Sequence, residues 1–122
     1  MGATVKDFRD LQVWAKAHAL AIDIYRSSSS FPKDETYGLR SQLRRAAVSI
    51  GANIAEGCGR GTDRDFSRFL QMAMGSACEV EYLLLLSSDL GFLGASHEPL
   101  SERVQEVKRM LAAFLRKLTA ES

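Results

Sequence analysis

The stretch LSERVQEVKRMLAAFLRKL, residues 100–118, carries the spacing that decides the fold. Leu100, Val104, Val107, Leu111, Phe114 and Leu118 recur at steps of four and three, which puts them on one side of an α-helix. Glu102, Arg103, Glu106, Lys108, Arg109, Arg116 and Lys117 fall between them as a solvated face. Ser96 is suited to an N-cap, and Pro99 is tolerable in a first turn. Working upstream, three more segments show the same period. They are separated by breaks at residues 27–36 (with Pro32), 57–61 and 91–99, where Ser, Gly and Pro accumulate.

The third segment opens on Thr62-Asp63-Arg64-Asp65, a capping-box-like start with acidic residues at the positive helix end. Phe66, Leu70, Ala73, Ala77, Val80 and Leu84 run down one side of it. Phe69, Met72, Ser76, Glu79, Leu83, Leu86 and Leu90 run down a neighbouring side. The second segment carries Leu39, Leu43, Ala46, Ile50 and Ile54, and its latter half is mostly small residues, so another helix can approach closely. Helices of about 20 to 28 residues with short connections make sequential neighbours antiparallel. The expected architecture is therefore all-α, an antiparallel up-down-up-down four-helix bundle forming a single domain over residues 1–122.

The bulk numbers agree. The 122 residues are 46% hydrophobic and 25% charged, an ordinary globular balance, and the net charge of +1 excludes a uniformly basic nucleic-acid coat. Met1 to Lys6 shows no signal-peptide pattern, and Lys6 breaks the myristoylation pattern. The longest pure run of large apolar residues, Tyr82 to Leu86, is far short of a membrane span. Cys58 and Cys78 read as reduced thiols, and the expected compartment is the cytoplasm.

Certain words occur together along the chain: Asp10-Leu11-Gln12-Val13-Trp14, Phe31-Pro32, Tyr37-Gly38-Leu39, Gln42-Leu43-Arg44-Arg45-Ala46-Ala47, Ser49-Ile50, Asn53-Ile54-Ala55-Glu56-Gly57, and Gly75-Ser76-Ala77 followed by Glu79. This string resembles the bacterial four-helix bundle family named for reading frames in intervening sequences of 23S ribosomal RNA genes. The resemblance covers nearly the whole chain. It implies a homo-oligomer, with a five-fold ring as the form associated with the family. A related branch, the accessory variability proteins of diversity-generating retroelements, forms a basic pentameric barrel that binds nucleic acid and a reverse transcriptase. At a net charge of +1, the present chain departs from that basic branch.

Each chemically suggestive cluster has a plainer use. Gly57-Cys58-Gly59-Arg60-Gly61 lacks the strand and the closing Gly-Lys-Ser/Thr of a phosphate loop, so a helix C-cap and turn is expected. Arg40, Arg44, Arg45, Arg60, Arg64 and Arg68 are the densest positive cluster and the candidate contacts for an anion or nucleic acid. The preferred reading is structural: Arg44 or Arg45 pairs with carboxylates in a polar network of Asn53, Glu56 and Glu79, because a carboxylate on an apolar stripe needs a partner. His18 reads as a core or interface histidine, and no metal or other cofactor is expected, since the paired Glu-x-x-His motifs of di-iron bundles are missing. Trp14, Phe66 and Phe69 read as core aromatics rather than base-stacking platforms. No catalytic constellation can be assembled, so the expected activity is assembly and binding, not enzymatic.

The first segment carries more apolar surface than one bundle uses. Leu11, Trp14, His18, Ala21 and Tyr25 form one stripe, assigned to the core. Val13, Ala17, Leu20 and Ile24 form a second, assigned to an oligomer interface. With Ile22, the apolar arc spans roughly 200°, twice what a lone bundle needs. The expectation is a homo-oligomeric, pentameric structural or interaction scaffold. The alternative is a ring protein that binds nucleic acid, such as structured RNA or an RNA–protein complex.

Overall fold

The structure is a computed structural model that describes residues 7–121. The segment Met1 to Lys6, on which the signal-peptide and myristoylation expectations rest, lies outside the described residues. Four helices follow one another: α1 (Gln12–Ser28), α2 (Leu39–Cys58), α3 (Asp63–Asp89) and α4 (His97–Glu121). Short 3-10 turns lie between or before them at Phe8–Asp10, Lys33–Glu35 and Gly94–Ser96. α1 packs on α2 and α4, and α3 packs on α2 and α4, which is the ring order of an antiparallel four-helix bundle.

Helix ends follow local chemistry. The Thr62 hydroxyl accepts from the Asp65 backbone N–H at 3.1 Å, which caps α3. The α4 helix begins at His97, one residue after Ser96, and carries Pro99 in its first turn, where a missing N–H costs nothing. Gly57 does not serve as the cap of α2: it is buried inside the helix, and Gly59 follows the helix end. A Cβ at Gly57 would meet the Phe66 ring at 2.8 Å and Phe69 at 3.0 Å. Its hydrogen side chain therefore lets the start of α3 close onto the end of α2. The left-handed conformation expected in this loop falls on Gly61, at φ +85°.

The buried side chains of all four helices form one contiguous cluster, with Leu20, Ile24, Leu43, Ile50, Ile54, Leu70, Leu84 and Leu111 fully enclosed. One expectation is corrected here. Val13, Ala17, Leu20 and Ile24, assigned from sequence to the oligomer interface, are buried in the core of this same chain. In the other stripe His18 and Tyr25 are exposed, while Leu11, Trp14 and Ala21 are half-buried and pack against the edge of the core. The physical reason is polarity. Trp, His and Tyr each carry a polar ring atom that needs water or a partner, whereas Val, Ala, Leu and Ile lose nothing by full enclosure.

By length and composition α3 is apolar enough to cross a membrane. Its stripe of Phe66, Leu70, Ala73, Ala77, Val80 and Leu84 is buried against the other helices, as in a core helix of a bundle.

Candidate functional site

The outward stripe of α1 meets a row of small residues on α2. Ala47, Gly51, Ala52 and Ala55 floor a groove of about 570 Å³, and Phe8, Trp14, His18, Ala21, Ile22 and Tyr25 wall it from the α1 side. The aromatic wall is ordered by ring contacts. Phe8 meets Trp14 edge-on at 4.9 Å, and Trp14 stacks on His18 at 4.8 Å with their planes 10° apart. Gly51 faces the indole: a Cβ there would sit 3.5 Å from the Trp14 Nε1, an ordinary contact distance. At the far end the Arg44 guanidinium lies 4.5 Å over the Tyr25 ring. Val48 and Ile22 stay in water on the two banks. The groove is thus a trough about three helical turns long, apolar along its floor and both sides.

The seams around the bundle differ in chemistry. Lys16 with Glu106, and Asp23 with Arg103, tie α1 to α4 through ion pairs. Lys108 donates to Glu81 at 2.7 Å and ties α4 to α3. The Glu81 carboxylate holds the Lys108 ammonium above its ordinary pKa. On the α2–α3 seam the hydroxyls of Ser49 and Ser76 share a hydrogen bond of 2.8 Å, and Asn53 donates to Ser49. Among the described residues no ion pair bridges α1 and α2. The groove lies on that seam.

The expected polar network does not form. Glu56 and Glu79 are exposed, and neither pairs with Arg44 or Arg45 among the described residues. Arg44 donates instead to the buried Ser28 hydroxyl and to the Tyr25 carbonyl, each at 2.9 Å. Arg40 donates to the Phe31 carbonyl at 3.0 Å, and Arg45 points to water. Glu79 escapes burial because α3 turns its Ser76 toward α2, leaving Glu79 on the outer edge of that contact.

The six arginines are also not one cluster. Arg40, Arg44 and Arg45 stand on the first turns of α2, while Arg60, Arg64 and Arg68 stand at its far end and on the start of α3. From Arg45 to the end of α2 at Cys58 the helix runs on for roughly 20 Å at 1.5 Å per residue, so the two groups sit toward opposite ends of α2. Arg60 and Arg68 each lie 4.7 Å from the Phe69 ring, and Arg68 also faces Asp65 at 3.9 Å. Arg64 and Arg68 line a polar cleft shared with Asp63 and Asp65, so its charge is mixed.

The two cysteines are free: Cys58 is half-buried and Cys78 exposed. Burial pushes the Cys58 thiol up, with a smaller push from Asp7. Among the described residues no group of three His, Cys, Asp or Glu side chains is arranged to hold a metal ion.

The sequence matches a known family model. That model, the 23S rRNA-intervening sequence protein, matches residues 9–113. The chain belongs to the 23S rRNA-intervening sequence protein family. The fold also resembles a crystal structure from Bacteroides thetaiotaomicron, described as a protein with unknown function from the S23 ribosomal protein family. The two are 24% identical with a TM-score of 0.78, over 85% of this chain and 95% of the other. No curated protein matched the sequence. The 23S rRNA-intervening sequence family model spans α1, α2, α3 and most of α4, so the groove lining apart from Phe8 falls within it.

Proposed function

We propose that this protein works as a homo-oligomeric scaffold in the cytoplasm, a binding and assembly protein rather than an enzyme, with the α1–α2 groove as the surface through which copies meet. The groove itself carries this reading. A trough of Trp14, Ala21, Ile22, Tyr25 and Val48, along a seam that no ion pair bridges among the described residues, is a contiguous apolar surface of the kind that soluble monomers seldom leave in water. Aromatic residues with a polar ring atom are enriched at such interfaces because they bury area while keeping one polar contact. The two free thiols suit a reducing compartment. A five-fold ring is the form that the family resemblance implies. The nucleic-acid alternative draws on Arg60, Arg64 and Arg68, yet Arg68 faces Asp65, and Arg40 and Arg44 spend donors on backbone carbonyls. Arg64 and Arg68 also share their cleft with Asp63 and Asp65, whose carboxylates offset their charge.

Light scattering coupled to gel filtration tests the scaffold reading. The unmodified protein should elute as a multiple of its 13.5 kDa chain at micromolar concentration. Ile22→Glu and Val48→Glu should shift it toward the monomer while the circular dichroism spectrum stays helical, since both side chains already face water. A monomeric unmodified protein, or charged variants that keep the oligomer, would refute the reading.

A further inference from the structure

We infer that the groove receives the α3 ridge of a second copy, formed by Cys78, Tyr82 and Leu85, so that copies join head to tail. This inference rests on the scaffold reading and adds which face meets which. Positions 78, 82 and 85 are spaced four and three, so the three side chains line one edge of α3. They are the outward edge: Tyr82 is 60% and Leu85 49% exposed, and Cys78 is exposed as well. They border a shallow cleft with His97 and Ser101 of α4, so the ridge lies on the α3–α4 side. The ring order of the helices puts that side opposite the α1–α2 groove. One copy can therefore fill a neighbour's groove while its own groove is filled.

Shape and charge support this pairing. The groove is floored by Ala and Gly, leaving room for large side chains, and the ridge supplies a tyrosine and a leucine one turn apart. Glu79 and Asp89 flank the ridge, and Arg26 and Arg45 flank the groove. None of these four charges has an ion-pair partner among the described residues. Apposing the two faces would bring carboxylates and guanidiniums to the rim of an apolar contact, where such pairs set register and partner choice. Because the two faces differ, the contact is heterologous, and repeating it closes a ring when the rotation allows.

Cross-linking by a short bismaleimide decides the matter, in a Cys58→Ser background that leaves Cys78 as the ridge thiol. A second thiol is placed in the groove by Ala21→Cys or, separately, by Ala52→Cys. Head-to-tail contact should give a ladder of covalent dimers, trimers and higher species on a denaturing gel, and Cys78→Ala should abolish it. In the otherwise natural chain, Tyr82→Glu and Leu85→Glu should each weaken association by roughly ten-fold or more. Covalent dimers alone that survive Cys78→Ala would mean groove meets groove. That result overturns the inference and leaves the scaffold standing. An oligomer that gives no Cys78-dependent cross-link from either position, and keeps its mass in both charged ridge variants, overturns it likewise. A monomeric unmodified protein instead removes the scaffold reading itself.

Discussion

At the residue scale, neighbouring arginines have opposite roles. Arg44 and Arg45 are adjacent in the sequence, and the sequence offers no reason to separate them. In the structure Arg44 crosses to α1, satisfies the buried Ser28 hydroxyl and the Tyr25 carbonyl, and covers the Tyr25 ring. Ser28 is wholly buried, and its remaining contact, to the same Tyr25 carbonyl, is long at 3.4 Å. Arg44→Ala should therefore cost about 1–3 kcal/mol, the range for leaving a buried polar group without a good partner. Arg45→Ala should stay within about 0.5 kcal/mol, as surface changes do. Urea denaturation of the two variants measures the difference, and equal losses would show that the Arg44 bonds are dispensable. The sequence suggested a structural use for an arginine here, with carboxylates as the partners. The actual partners were not legible there: hydroxyl and carbonyl acceptors lie 16 and 19 positions away, and no local pattern marks them.

At the element scale, the helices sort by what fills each seam. Ion pairs hold α4 to α1 and to α3, a pair of hydroxyls joins α2 to α3, and small residues of α2 lie beneath α1. The Lys108–Glu81 pair makes a pH-dependent contribution to the α3–α4 seam. Its folded-state pKa is raised above the ordinary lysine value of 10.5, first by the hydrogen bond to Glu81. The stabilisation is thus fully present below about pH 10.5 and is lost as pH rises through the raised value. Both side chains are partly exposed, which limits the effect to about 0.5 kcal/mol. Comparing the unmodified protein with Lys108→Gln by denaturation should show a small gap at pH 8 that narrows above pH 10.5. A gap that widens with pH would contradict the assignment. Helix number, order and approximate ends were all readable from period and breaks, because apolar spacing and capping act within a few residues. Which residues bridge a seam depends on the rotation of each helix, which spacing alone does not set.

At the scale of the whole molecule, an uncovered groove ties stability to association. If copies cover one another's grooves, the folded state gains from mass action, so the thermal midpoint depends on protein concentration. Lowering the concentration a hundred-fold should depress the midpoint by a few degrees in the unmodified protein, and much less in Ile22→Glu. Scanning calorimetry or circular dichroism at the two concentrations measures this. A midpoint indifferent to concentration would show that assembly adds nothing to the fold.

The sequence by itself determined that four amphipathic helices form an all-α bundle, that the chain belongs with its family, and that α1 carries more apolar surface than one bundle can enclose. Those conclusions rest on period, breaks and motif order, all of which are local or linear. Only the tertiary structure decided which α1 stripe is enclosed. Two stripes about 120° apart are equally apolar to a period count, and a rotation of the helix exchanges them. The packed structure resolves the choice because Leu20 and Ile24 can be fully enclosed without leaving a polar atom unpaired, while Trp14, His18 and Tyr25 cannot. The same rotation separates Arg44 from Arg45, leaves Glu79 in water, and sets the aromatic wall over the small residues of α2 to make the groove.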